Sequence, residues 1–167
     1  GPFLPELPPP VAWPELLAIV PARDEAETIT AALGSLLAQD YPGRLRVILV
    51  DDHSSDGTAA LARALPDPML RLEVVAAPAL PPGWTGKLWA QAAGLAHGQR
   101  LAPDARWLLL TDADIVHEPA SLRRLVSFGE ARGLDLVSLM ALLRCSTAWE
   151  RLLIPAFVFF FQKLYPF

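Results

Sequence analysis

Two carboxylates one residue apart, Asp112 and Asp114, follow the apolar run Trp107-Leu108-Leu109-Leu110. At a strand end, residues i and i+2 project to the same side. Such a pair offers hard oxygen ligands to magnesium or manganese, whose other ligands come from water and phosphate. A solvated turn produces the same Asp-x-Asp pattern. The segment Asp51-Asp52-His53-Ser54-Ser55-Asp56-Gly57-Thr58 follows another apolar run, Val47-Ile48-Leu49-Val50. Ser54, Ser55 and Asp56 read as caps of the next helix, with Gly57 allowing a tight turn. Capping leaves the doubled Asp51-Asp52 unexplained, and a carboxylate at a strand end accepts hydrogen bonds from a base or ribose. Gly83-Trp84-Thr85-Gly86-Lys87 stands before a helix. A lysine there opposes the helix dipole, which an anion held at the same end would relieve; a plain surface lysine is the equal alternative. The spacing is not that of a Walker phosphate loop. Pro21-Ala22-Arg23-Asp24-Glu25 is the remaining polar cluster after an apolar run. His117 is a third metal ligand, a phosphate contact or a helix-start residue, whereas His53 and His97 read as structural.

The elements that must position these residues alternate. Leu16-Leu17-Ala18-Ile19-Val20 suits a buried strand. Ile29, Leu33, Leu36 and Leu37 then share one helix face, with Asp24, Glu25 and Glu27 near the positive end of its dipole. Val47–Val50 is a second strand, and Thr58–Leu65 a short helix with Leu61 and Leu65 inward. Leu72–Val75 is a third strand. Lys87–His97 is a helix packed through Trp89, Ala92, Ala93 and Ala96. Trp107–Leu110 is a fourth strand, Pro119–Phe128 a helix, and Leu136–Leu142 a fifth strand. This order predicts an α/β fold, a mostly parallel sheet with helices on both faces. The three acidic clusters would share one rim, beyond the carboxyl ends of the strands, where ligands bind in open α/β sheets. Bare acids there would repel one another, and a cation would relieve them.

The chain has 167 residues and a formal net charge of -4, which argues against a nucleic-acid partner. One cysteine, Cys145, excludes an intrachain disulfide and fits a reducing compartment. Residues 1–15 are proline-rich and read as an extended linker. Residues 16–150 form the α/β domain. Residues 151–167 hold the uncharged stretch Leu152–Phe161, flanked by Arg151 and Lys163 and followed by Tyr165. That stretch is too short for a span of about 20 residues, and reads as an interfacial segment or as a helix packing on a further domain. The apolar end and the absence of an initiating methionine give the expectation that this is part of a longer protein.

Together and in this order, Pro21–Glu25, Asp51–Thr58, Gly86-Lys87 and Asp112–Asp114 resemble the family-two inverting glycosyltransferases with the GT-A fold. The resemblance runs from about Leu16 to Leu142. Gly83–Ala90 and Thr111–Ile115 look most like the hopanoid-biosynthesis-associated, membrane-bound branch. The resemblance implies a nucleotide-diphosphate sugar donor, usually UDP-linked, and a lipid or small-molecule acceptor at the cytoplasmic face of the membrane. It implies that Pro21, Arg23 and Glu25 line the nucleoside pocket, that Asp52 binds the base and that Lys87 approaches the nucleotide. Asp112 would face ribose or sugar, and Asp114 would bind a magnesium or manganese ion. The family's general base has no match after Leu142, so it is expected outside this chain, which would then be a donor-binding part.

Two other readings compete. A nucleotidyltransferase shares the architecture, but Pro21–Glu27 lacks the glycine-rich loop it would need. A non-catalytic nucleotide-binding or scaffold module would keep the pocket without the chemistry, and the presence of Lys87 and Asp114 speaks against it.

Overall fold

The computed structural model describes residues 7–139, 141–142 and 147–164, the side chain of Gln162 excepted. Pro2, Pro5, Cys145 and Tyr165 lie outside the described residues. Compact packing divides the chain after Val137.

In the first unit the elements run β1 (Leu16–Ala22), α1 (Ile29–Leu37), β2 (Leu45–Asp51), α2 (Thr58–Arg63), β3 (Leu72–Ala76), α3 (Gly86–Leu101), β4 (Trp107–Leu110) and α4 (Ser121–Arg132). The strands pair in the order β3-β2-β1-β4, every pair parallel. β1 is central and buried at every position, as a strand covered on both faces must be. Its side chains alternate between two cores. Leu16, Ala18 and Val20 face α1, α2 and α4, packing with Ile29, Leu33, Leu36, Ala62, Leu122 and Val126. Leu17 and Ile19 face the other way, with Ile48, Val50 and Ala90 of α3. Helices thus cover both faces, as the alternation predicts. The α3 face is the thinner one: Leu108 and Leu110, in register with Leu17 and Ile19, remain exposed on β4.

The helix α3 does not pack as its apolar residues suggest. Trp89, Ala92, Ala93 and Ala96 are not its buried positions; Ala90, Gly94 and Gly98 are. A Cβ on Gly94 would stand 2.7 Å from Ile19 and Val50, and one on Gly98 2.4 Å from Leu17. The helix backbone therefore lies almost directly on β1 and β2, closer than any side chain would allow. In α2, Leu61 is exposed, and Thr58 and Ala62 are the buried residues, because the helix ends at Arg63 before a second apolar turn forms. Residues 136–139, 141 and 142 form no strand, and Leu136, Leu139 and Leu142 are exposed; Met140 lies outside the described residues. Among the described residues the sheet has four strands, with β3 and β4 at its edges.

The end of the proline-rich segment is held to the domain. Trp13 meets the Tyr41 ring edge-on at 5.4 Å, and the Tyr41 hydroxyl donates to the Pro14 carbonyl at 2.6 Å. Burial, then the nearby charge of Glu130, pushes the Tyr41 pKa up to about 12, so the hydroxyl keeps its proton.

In the second unit α5 spans Ala148–Leu164 and includes Pro155. Its start is a reciprocal cap: the Thr147 amide donates to the Glu150 carboxylate, and the Glu150 amide donates to the Thr147 hydroxyl. Trp149, Leu152, Leu153, Phe157, Phe159 and Phe160 are all exposed along it. No helix among the described residues is long and apolar enough to cross a membrane.

Candidate functional site

The strand order reverses direction between β1 and β4, since β2 and β3 lie on the other side of β1. Such a switch point opens a crevice beyond the carboxyl ends of the strands. A cleft of about 460 Å³ lies there, walled by Pro21 near the end of β1, Arg23 and Glu25 after it, Asp52 after β2, Lys87 on α3, and Asp112 and Asp114 after β4. All seven residues to which the resemblance gives a site role line this one cleft, while His117, the other candidate, does not.

Two ion pairs cross it. Lys87 Nζ stands 2.7 Å from Asp112 Oδ1, both side chains about half exposed. Arg23 Nη1 stands 3.4 Å from Asp52 Oδ2, and the Asp52 side chain is only 9% exposed. The rim therefore supplies cations of its own, so its acids do not face one another bare. The doubled acid resolves by alternation. Asp51 ends β2 in register with Ala22, whose neighbours are on the α1 side. Asp52 follows it into the cleft, its amide donating to the Ala22 carbonyl at 2.8 Å. Asp51 Oδ1 is buried without a hydrogen-bond partner among the described residues.

Much of the acidic sequence braces the site without entering it. Asp24, with a left-handed φ of 54°, accepts from the Ser55 amide, and its own amide donates to the Ser54 hydroxyl. The Glu25 amide donates to the Thr58 hydroxyl, and the Ala26 amide donates to the Asp56 carboxylate. Asp56 also accepts from the Thr58 amide; the N-cap of α2 is Gly57, without a side-chain cap, so Ser54, Ser55 and Asp56 do not cap the helix as expected but tie the two loops. These bonds hold the Asp56 carboxyl below its ordinary pKa, chiefly through the Thr58 hydroxyl. The loops after β1 and β2 are thus tied together by groups that sequence reading placed at the dipole of α1; that helix has no acid in its first turn. The signal was there in Ser54-Ser55-Asp56, but the partner loop is some 30 residues away in sequence.

His117 hydrogen-bonds through Nε2 to Thr111 at 3.0 Å, and its amide donates to Ser35. It therefore ties the loop carrying Asp112 and Asp114 to α1, and does not line the cleft. His97 pairs with Glu73 at 2.7 Å. Among the described residues no three His, Cys, Asp or Glu side chains gather as a metal cluster. A cation here would take Asp112, Asp114 or both from the protein and the rest from phosphate and water. That sparse donor set fits magnesium or manganese, which keep several waters and bind beside substrate phosphates.

The family model described as "Glycosyl transferase family 2" matches residues 17–151. Succinoglycan biosynthesis protein ExoO of Rhizobium meliloti (strain 1021) is 35% identical over 133 residues, covering 75% of this chain and 35% of that protein. The mannosyltransferase PcManGT from Pyrobaculum calidifontis, solved with GDP-Man and Mn2+, is 30% identical with a TM-score of 0.56 over 74% of this chain and 35% of its own. S. aureus TarS 1–349, solved with UDP-GlcNAc, is 25% identical with a TM-score of 0.58 over 71% of this chain and 32% of its own. The chain thus spans about a third of the length of the proteins it matches.

Burial holds the pKa of His117 below its ordinary 6.5. The unfolded chain then takes up a proton at a higher pH than the folded one, so acid favours unfolding. The stabilisation is complete above about pH 6.5 and declines as pH falls toward the folded value. We expect the thermal midpoint to fall between about pH 7 and pH 5, and His117→Asn to flatten that decline. Thermal scans across this range check it, and an unchanged slope in the variant would remove His117 as the cause.

Proposed function

The chain belongs to glycosyl transferase family 2, and from that membership we propose that its cleft binds a nucleotide-diphosphate sugar for inverting transfer to an acceptor hydroxyl. The observation that carries this reading is the convergence of Asp52, Lys87, Asp112 and Asp114 on one cleft at the switch point of the sheet. Asp52, sunk at the base of the cleft, accepts hydrogen bonds from the nucleoside base, uracil by the resemblance. Pro21, Arg23 and Glu25 wall that end. Lys87 meets the phosphates at the start of α3, where the first amides of a helix also favour an anion. Asp112 faces the ribose or the sugar. Asp114 would hold the magnesium or manganese ion, which when bound supplies charge that stabilises the departing diphosphate. The solved relatives hold UDP-GlcNAc in one case and GDP-Man with Mn2+ in the other, which supports a diphosphate donor and leaves the base to be tested.

The chemistry is a direct displacement. A base takes the acceptor proton, the acceptor oxygen bonds to the anomeric carbon, and the bond to the diphosphate oxygen breaks with inversion. The base is assigned outside these residues: Glu150, the first acid after the resemblance ends at Leu142, is occupied capping α5. The acceptor is a lipid, of the hopanoid class by the resemblance. We place the protein at the cytoplasmic face of the membrane, with α5 as the lipid contact. Its uncharged Leu152–Phe161 stretch would sink below the headgroups, while Arg151 and Lys163 meet the phosphates.

Calorimetry with UDP, with and without Mn2+, tests the donor site, with GDP as the second arm. Asp114→Ala should abolish the gain in affinity from Mn2+. Asp52→Ala should weaken UDP about ten- to hundredfold whether or not metal is present, the size of a lost hydrogen bond to a charged group. Equal metal-free losses from both changes would contradict the separate roles. For the membrane, the chain should float with liposomes containing anionic lipid and fail to float once residues 151–167 are removed; flotation unchanged by the truncation would exclude α5 as the contact.

A further inference from the structure

Gly86 opens α3 and lines the cleft beside Asp52. A Cβ built on it would stand 2.6 Å from Asp52 Oδ2, a separation that side-chain carbons do not adopt. The carboxylate thus occupies the place where any other residue would carry its side chain. On its other side Oδ2 meets Arg23 Nη1 at 3.4 Å, so it is held between a guanidinium and the bare backbone of a helix start. We infer that Gly86 is a positioning residue for the donor's base: it acts through Asp52, and its missing side chain sets where that carboxylate stands. The inference rests on the donor-binding reading of the cleft.

The alternative explanations of this glycine are weak. Its φ is not in the left-handed region; among the described glycines that holds only for Gly57, Gly83 and Gly133. Helix formation disfavours it, since glycine is a poorer helix residue than alanine. Nor does it fit the helix against the sheet, the task of Gly94 and Gly98, whose added carbons would strike Ile19, Val50, Leu17 and Ile48. At Gly86 the only atoms in the way among the described residues belong to the Asp52 carboxyl.

The same packing decides what yields when a side chain is added. The helix α3 is seated by Ala90, Gly94 and Gly98 against two strands, so lifting its first turn disturbs the core. The Asp52 carboxyl is the end of a short side chain and needs only a rotation about χ1. In Gly86→Ala the carboxylate therefore swings off Arg23 and away from the base, while the fold is kept. Lys87, one residue on, points to Asp112 and is left in place.

A double-mutant cycle on UDP affinity tests this, with the 13C shift of the Asp52 carboxyl read in the ligand-free proteins. Gly86→Ala should leave the thermal midpoint no lower than in the native chain, move the Asp52 carboxyl shift, and weaken UDP about tenfold. In the Asp52→Ala background the same change should alter UDP affinity less than about twofold. An unmoved carboxyl shift overturns the inference, with or without nucleotide binding. So does an undiminished loss in the Asp52→Ala background, which would mean that Gly86 acts without Asp52. If the native chain binds neither UDP nor GDP, the donor reading fails on its own, and the carboxyl shift still decides whether Gly86 sets the position of Asp52.

Discussion

The close seating of α3 on β1 and β2 is the contact on which the cleft depends. Residues four apart on this helix carry it: Ala90, Gly94 and Gly98 are all buried. The methyl groups of Ile19 and Val50 stand 2.7 Å from where a Gly94 Cβ would be. Packing at this density resists small changes, because an extra carbon forces side chains off their rotamers or shifts backbone. One further step along the same row brings Gly86 to the height of the strand ends, against Asp52. A helix held off by ordinary side chains would leave a wider gap, and neither Gly86 nor Lys87 would reach the acids after β2 and β4. The glycines thus set the width of the cleft from below.

The rim is held sideways by a different means. Backbone amides of residues 24–26 are tied to Ser54, Thr58 and Asp56, so the loops after β1 and β2 behave as one wall. The opposite wall, after β4, is tied to α1 through His117 and Ser35. What remains unbraced is the pair across the mouth, Lys87 and Asp112. Both side chains are about half exposed, where an ion pair contributes roughly 0–1 kcal/mol. Opening it for a phosphate or a cation costs little. Floor and walls are firm, and the exchangeable contact is at the entrance, which suits a site that must take up a charged ligand and release it.

The sequence was legible where one strand or one helix decided the outcome. The four strands were readable as apolar runs, and β1, β2 and β4 carry polar residues at their ends, where Arg23, Glu25, Asp52, Asp112 and Asp114 reach the cleft; Lys87 reaches it from the start of α3. Reading failed where a distant partner decided. The tryptophan and alanines of α3 suggested an ordinary apolar face, but the sheet selected the glycines, and nothing local to the helix announces how near the sheet lies. Leu61 looked inward by spacing, yet α2 is only six residues long and ends before that face is covered. The leucines over residues 136–142 suggested a strand, but strand formation needs a neighbour to pair with as well as apolar residues. Asp24 reads as a dipole partner of α1 and Asp56 as a cap of α2, and the structure spends both on bracing across two loops.

In the proposed function this cleft, and no other surface, receives a nucleoside diphosphate. The most direct measurement is a crystal structure of the chain soaked with UDP and Mn2+. Donor binding in the cleft would place the base against Asp52 and the diphosphate between Lys87 and Asp114, with the 2.7 Å contact of Lys87 with Asp112 opened. A nucleotide bound elsewhere, with that contact intact and Asp52 untouched, would contradict it.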